Sequence, residues 1–161
     1  MPELTPRVVF DCNLFVQGIP TVTARRARHC LCFSMETYRF LWASRLFAKF
    51  GTYYRAELRR KLPGINVRIV NAFLTKLEGK AILLANVPEE FHYERDLDDE
   101  MYINLAIVAN AAYLVSRDKD LLDLMTTSTD IAQQFRSRYP FLRLLTAADF
   151  IRAVESAGAA R

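Results

Sequence analysis

Short apolar runs alternate with helical patterns along this chain, and that alternation is the feature that most constrains its fold. Four runs predict strands, the first of them buried: Arg7–Phe10, Ala81–Ala85, Tyr113–Ser116 and Phe141–Leu145. Apolar residues at helical spacing predict helices over 55–63, 66–77, 101–112, 121–125 and 147–155. Strands that alternate with helices predict a parallel sheet with helices on both faces. We therefore expect an α/β protein, a single three-layer α/β/α domain over residues 1–161.

Nothing in the sequence predicts a membrane span or a secretory signal. No apolar run approaches the ~20 residues of a membrane helix, and the N-terminal sequence MPELTPRVVFD lacks the order of a signal peptide. We expect a cytoplasmic protein without membrane contact. Its three cysteines, Cys12, Cys30 and Cys32, predict neither disulfides nor zinc binding, because their number is odd and no second Cys pair exists.

Pro20–Tyr54 differs in composition from the rest of the chain. It has six Arg or Lys, eight aromatic residues and one acid, Glu36, whereas the remainder has 16 basic and 17 acidic residues. The net charge of +4 therefore comes entirely from this stretch. Basic and aromatic residues together are typical of an RNA-contacting surface. An amphipathic helix with buried aromatics is the alternative; its core residues would be Phe33, Phe40, Trp42 and Phe47.

Acidic residues follow the predicted strands where those strands end. Asp11 closes the first strand, with Asn13 two residues later, and Asp118 and Asp120 follow the third; Asp99 lies at the start of the helix before that strand. Because the carboxyl ends of parallel strands share one edge of the sheet, we expect these side chains to gather there. Carboxylates in close contact need a cation between them, and oxygen ligands suit Mg²⁺ or Mn²⁺, which indicates phosphodiester hydrolysis. Taken singly, each acid is equally well explained as a helix cap or turn former.

Three segments resemble PIN-domain proteins, and in particular the VapC-like toxins of toxin–antitoxin pairs. They are RVVFDCNLFVQGI, RDLDDEMYINLAIVANAAYLVSRDKDLLDL and LRLLTAADFIRAV. The resemblance covers residues 7–19 and 55–155 and is most specific from Arg95 to Leu124. It implies a PIN-like fold and a metal-dependent endoribonuclease that acts on single-stranded RNA with Mg²⁺ or Mn²⁺. It also implies a cognate antitoxin protein as partner, and it leaves a homodimer open.

The resemblance further implies the residues of the site. The family's metal-binding carboxylates fall on Asp11, Asp99 and Asp118. Asp98 is the alternative register to Asp99, which is preferred by counting back from Asn110, where the family usually has Gly. Asn13 would orient Asp11 or a water through its amide, and Asp120 would be a supporting acid.

One family residue has no counterpart here. The family has a glutamate on a helix between the first and third strands, and its spacing falls on residues 45–50, RLFAKF, which hold no acid. Glu36 lies too early and Glu57 too late. The resemblance therefore implies impaired nuclease activity, and an inactive PIN-like relic or antitoxin-binding module is the alternative function. A flavodoxin-like or receiver-type domain is a third alternative, although its later Thr and Lys positions are not matched.

A shift of reading frame would explain the missing glutamate. Codons for Gly18 onward can be chosen so that one restored base yields GIANRHGPARAALSLFFDGDISLFV, and the new phase can continue into SVIREVRDVLSR. This product has a turn, a helix, a strand and a glutamate-bearing helix in the family's order. We hypothesise that residues 20–54 are translated out of frame, with a compensating shift near Arg55. The hypothesis is wrong if no single-base change in the gene restores a REVRDVL-like helix.

Overall fold

The computed structural model describes residues 6–11, 13–14, 39–61 and 66–159. Within them five strands form one sheet, and every neighbouring pair is parallel. In chain order they are β1 Arg7–Phe10, β2 Arg39–Ala43, β3 Ile82–Leu84, β4 Tyr113–Val115 and β5 Arg143–Leu145. The order across the sheet is β3-β2-β1-β4-β5.

Six helices of the described chain flank this sheet. They are α1 Ser44–Lys61, α2 Val67–Lys80, α3 Leu97–Val108, α4 Lys119–Thr126, α5 Asp130–Arg138 and α6 Ala147–Ala159. The predicted α/β class with a central parallel sheet is confirmed, and the arrangement is consistent with a three-layer α/β/α, PIN-like fold. No helix in the described ranges is both long and apolar enough to cross a lipid bilayer.

The sheet order places a crevice between β1 and β4. The chain passes from β1 to β2 and β3 on one side, then returns to β4 and β5 on the other. Connections that diverge from two neighbouring strands leave a gap at their carboxyl ends, and ligands of open α/β sheets bind in such gaps. The first and third predicted strands are these two neighbours, so the residues that follow them share one crevice.

Buried apolar side chains hold the two sides of the sheet together. Val8, Val9 and Phe10 of β1 are fully buried, as expected for a central parallel strand. Phe10 packs edge-on against Phe150 of α6, with ring centroids 5.5 Å apart.

Thr146 caps the start of α6. Its hydroxyl accepts from the Asp149 amide at 3.1 Å and donates to the Asp149 carboxylate at 2.6 Å.

A chain of aromatic rings joins β2 to the first two helices. Trp42 of β2 lies 4.9 Å from Phe50 of α1, Phe50 lies 5.0 Å from Tyr54, and Tyr54 lies 5.4 Å from Phe73 of α2, all between ring centroids. Trp42 is fully buried. The interpretation of Trp42 as a helix residue is therefore wrong, since it lies in a strand. Its burial shows that the last part of the unusual stretch packs in the core.

The other residues singled out in that stretch are not described. Phe33, Glu36, Cys30 and Cys32 lie outside the described residues, as does Cys12. The side chains of Phe40 and Phe47 are also outside them. The hypotheses of an RNA-contacting surface and of a frame shift over 20–54 therefore stay predictions.

Candidate metal centre

Asp11 lies in the crevice between β1 and β4, directly after β1. Its side chain is buried, with 1% exposed. The backbone N–H of Asn13 donates to Asp11 Oδ1 at 3.0 Å, and Ser116 Oγ donates to Asp11 Oδ2 at 2.7 Å. The main-chain amide of Asn13 thus contacts Asp11, whereas the role of the Asn13 side chain in orienting Asp11 or a water stays a prediction. Both carboxylate oxygens are held, so the orientation of Asp11 is fixed.

Ser116 joins the ends of the two strands. Its buried hydroxyl donates to Asp11 and accepts from the backbone N–H of Asp118 at 2.9 Å. Asp118 is half-buried and caps α4, because its Oδ1 accepts from the Asp120 amide at 2.9 Å. Ser116 is not among the predicted site residues, although it is a polar residue at the carboxyl end of a predicted strand.

Asp99 is the buried acid of α3, and one of its oxygens is unpaired. The residue is 7% exposed, and its Oδ2 finds no hydrogen-bond partner in the described part of the chain. Burial, and after it the charges of neighbouring carboxylates, raise the pKa of the Asp99 carboxyl to about 7. Those charges belong to Asp118, Asp96, Asp11 and Asp120. The predicted aspartates therefore lie near enough to one another for their charges to interact.

The structure decides between the two registers of α3. Asp96 is the N-cap, and its Oδ1 accepts from the amides of Asp98 at 2.7 Å and Asp99 at 3.4 Å. Asp98 is exposed, whereas Asp99 is buried near Asp11 and Asp118. Asp99, not Asp98, is therefore the acid that α3 brings to the crevice.

The backbone conformation of Asn110 is one that glycine adopts most easily. The residue follows α3 with a φ of 48°, in the left-handed region that asparagine tolerates. The tight turn there returns the chain from α3 to β4, and the Ala112 amide donates to Arg7 O at 2.9 Å.

Asp120 is engaged by an arginine at the rim of the crevice. Arg95 Nη2 lies 2.5 Å from Asp120 Oδ1, and Arg95 Nη1 lies 3.4 Å from Asp123 Oδ2. The phenol of Tyr93 also donates to the main-chain oxygen of Asp120 at 2.7 Å. Asp120 is 40% exposed and paired, so it lies at the edge of the acidic group.

The aspartates are near one another but do not already form a tight ligand cage. Among the described residues, the group of acids or histidines with ligand atoms all within 4.8 Å of one another is Glu89, His92 and Glu100. These three could hold a metal ion. His92 Nδ1 lies 2.9 Å from Glu100 Oε2 and 3.3 Å from Glu89 Oε1, so the three side chains already satisfy one another. The aspartates are spaced more widely than these three side chains, and like charges that share a site repel one another.

The start of α1 lies at the same edge of the sheet and carries no acid. Helix α1 begins at Ser44, directly after β2, and its first turn has no Asp or Glu. Glu57 lies thirteen residues farther along, or about 20 Å at 1.5 Å per residue, and it accepts from Arg60 at 3.2 and 3.0 Å. Glu57 therefore does not replace the missing glutamate.

Comparison with known proteins adds no identification. No protein-family model matches this chain, and no curated protein matches it either.

Proposed function

We propose that this protein is a PIN-type endoribonuclease that hydrolyses single-stranded RNA with Mg²⁺ or Mn²⁺ bound by Asp11, Asp99 and Asp118. The observation that carries the proposal is the unpaired, buried Oδ2 of Asp99 among like charges. A buried carboxylate without a partner costs free energy, and a nearby carboxylate adds to that cost. A divalent cation would offset both.

The residues of the crevice fit such an ion. All three proposed ligands are carboxylates, which Mg²⁺ and Mn²⁺ prefer, and no thiolate or imidazole is required. A cation bound there would lower the pKa of a coordinated water and stabilise negative charge on the phosphodiester.

The chain's own contacts prepare two of the ligands. Ser116 and the Asn13 amide hold the oxygens of Asp11, while the Ser116 hydroxyl also fixes the main chain of Asp118. Partners of this kind orient metal ligands, and their removal typically costs about 10–100-fold in affinity or activity. Ser116 is therefore a positioning residue in the proposed site.

The proposed activity is low because one family carboxylate is missing. The first turn of α1 carries no acid, so three carboxylates stand where the family has four. A ligand set with less negative charge binds a divalent cation more weakly.

The test is cleavage of labelled single-stranded RNA, together with calorimetry of Mn²⁺ binding. We expect slow cleavage that EDTA stops and that Asp11→Asn and Asp99→Asn reduce about 100-fold, since the metal supplies several kcal/mol to the transition state. Asp98→Asn is the matched control, because Asp98 is the exposed neighbour of Asp99, and it should retain activity. Cleavage that persists in EDTA or in Asp11→Asn would contradict the proposal, as would the absence of both cleavage and Mn²⁺ binding.

The acid-free start of α1 favours one second function, an inactive PIN-like relic that still binds an antitoxin. Mn²⁺ binding that depends on Asp99, without any cleavage, would support it over the nuclease. A small upstream reading frame that encodes a DNA-binding antitoxin would support the partner.

A further inference from the structure

Residues 85–96, which join β3 to α3, form no strand or helix but are closely held. The side chain of Asn104 accepts from the amides of Glu90 and Phe91, both at 2.8 Å, and donates to Phe91 O at 3.0 Å. Glu100 Oε2 accepts from the Tyr93 amide at 2.6 Å. Two buried polar residues of α3 thus bind the main chain of this loop.

Two tyrosines hold the loop from other directions. Tyr139 OH donates to Glu90 O at 3.0 Å, and Tyr93 OH donates to Asp120 O at 2.7 Å. The loop is therefore attached to α3, to the start of α4 and to the end of α5. These hydrogen bonds hold the loop without using the side chain of Arg95, which is the next residue but one after Tyr93.

Arg95 is the cation that this loop places at the rim of the acidic crevice. Its guanidinium contacts Asp120 and Asp123, and its side chain remains 51% exposed. Burial raises the pKa of the Tyr93 phenol, and the charges of Arg95, Asp120 and Asp99 all act on that group. Arg95 is thus near both Tyr93 and the acids that surround Asp99.

The ion pairs of Arg95 do little for stability. Exposed ion pairs typically contribute about 0–1 kcal/mol, and the four side chains above already hold the loop. A guanidinium has five N–H donors, so one that contacts two carboxylates can still bind a phosphate. The geometry therefore leaves Arg95 available for a ligand.

An RNA strand needs a cation at this position. Asp11, Asp99 and Asp118 would repel a polyanion, and the acids at 96, 98, 120 and 123 add to that repulsion. Lys119 also lies at the rim, but it is 83% exposed and paired with Asp123 at 2.8 Å. Arg95 also contacts Asp120, whose charge acts on Asp99, whereas Lys119 is paired with Asp123. Arg95 is therefore the better placed of these two cations to bind a phosphate beside the aspartates.

We propose that Arg95 binds a phosphate of the single-stranded RNA next to the aspartates while it stays paired with Asp120. This rests on the proposed function, since it supplies the contact that brings a polyanion to an acidic crevice. Arg95 acts on binding and not on the reacting atoms.

The test is fluorescence anisotropy of a labelled single-stranded RNA at several KCl concentrations, with Ca²⁺ in place of Mg²⁺ to prevent cleavage. Arg95→Ala should weaken binding about ten-fold, because a hydrogen bond to a charged group is lost. The slope of log K against log salt should also become shallower by about 0.7, the value for one phosphate of a single strand. Arg95→Lys should keep the slope. An unchanged melting temperature of Arg95→Ala would show that its weaker binding does not come from a loss of structure.

Two further variants distinguish a phosphate contact made by Arg95 from a mere neutralisation of the acidic charge around it. Arg60→Ala is the matched control, because Arg60 is exposed and paired with Glu57 near the far end of α1, and it should bind RNA normally. Arg95→Ala combined with Asp120→Asn removes both partners, and the loss of affinity should persist. If the double variant binds normally, or if Arg95→Ala binds as tightly as the parent, the inference is wrong while the nuclease proposal stands. A parent protein that neither binds nor cleaves RNA would overturn both.

Discussion

Helices α1 and α3 both begin at the carboxyl edge of the sheet, yet their first turns differ completely in charge. The first turn of α3 contains Asp98, Asp99 and Glu100, whereas that of α1 contains no acid. Both helices pack on the same sheet, with Phe50 and Ile103 fully or almost fully buried. The fold therefore does not require acids at these helix starts.

The difference separates what stabilises the fold from what serves a site. Acids in a first turn interact favourably with the helix dipole, and the exposed Asp98 fits that role. Asp99 does not, because it is buried with an unpaired oxygen and a raised pKa. The aromatic rings along α1 serve packing, whereas Asp99 at the start of α3 is a group whose placement costs stability.

The largest expected effect is on the packing of helix α1, whose first turn carries no acid. Phe50 lies between Trp42 and Tyr54 and is 1% exposed. Phe50→Ala should lower the free energy of unfolding by about 4 kcal/mol, the usual cost of a large core truncation. Tyr53→Ala is the control in the same helix, because Tyr53 is 46% exposed. Urea denaturation measures both, and equal small losses would show that α1 is not part of the core.

The next effect concerns Asp99 at the start of α3 and depends on pH. The pKa of Asp99 is raised from 3.8 to about 7, so the folded state binds this proton more tightly than the unfolded state. The free energy of unfolding should fall as the pH rises from about 4 to about 7, because the folded state holds this proton more tightly. Above about pH 7 the full cost of the ionised, buried Asp99 should be present. Asp99→Asn should therefore raise the melting temperature in EDTA by about 5 °C near pH 8 and by almost nothing near pH 4.

Asp98→Asn controls for the loss of one acid in the same turn. It should leave the melting temperature unchanged at both pH values, because Asp98 is exposed. A gain for Asp99→Asn that is the same at both pH values would show that its charge is not the cause.

The smallest effect comes from giving α1 the acid that it lacks. A glutamate at position 48 or 49 would lie about 6–8 Å along the helix from Ser44, near the carboxyl edge of the sheet. At least one of Ala48→Glu and Lys49→Glu should increase Mg²⁺-dependent cleavage about ten-fold, the effect of one added ligand or its support. Thr52→Glu is the control, since Thr52 is exposed like Ala48 and lies one turn farther from the edge. An equal gain for all three would indicate a general charge effect.

Much of the fold was predictable because the central strands β1 and β4 are largely buried, whereas the edge strand β3 is mostly exposed. Central parallel strands such as Arg7–Phe10 and Tyr113–Val115 appear as short apolar runs, and their alternation with helices predicts the parallel sheet. Strand β2 was not predicted, since RFLWA lies in a stretch without Gly or Pro to mark its ends. Helix α5 was missed because DIAQQFRSR is mostly polar, and only Ala132 and Phe135 are buried.

The grouping of the aspartates at one edge of the sheet was predictable, but the contacts that support them were not. The cap at Asp96 sets the register of α3, and reading that cap from the sequence would have selected Asp99 directly. Ser116 and Asp11 are 105 residues apart, and their contact exists only because β1 and β4 are neighbours. No local pattern contains that information.

Strand β2 bears on the frame-shift hypothesis without testing it. The observed strand is Arg39–Ala43, and the second reading phase places its strand residues ISLFV over positions 38–42. Both phases give apolar residues at positions 40–42, since the chosen codons are rich in thymine there. A strand at this place is therefore expected in either phase, and the gene sequence remains the test.

The hydrogen bonds of the loop over residues 85–96 have a consequence for its amide hydrogens. The amides of Glu90, Phe91 and Tyr93 are bonded to side chains of α3. Exchange with solvent deuterium at these amides requires α3 to separate from the loop. These amides of a segment without regular structure should thus exchange as slowly as those of the helix that holds it. If an RNA strand binds beside this segment, the loop would lose little further conformational entropy.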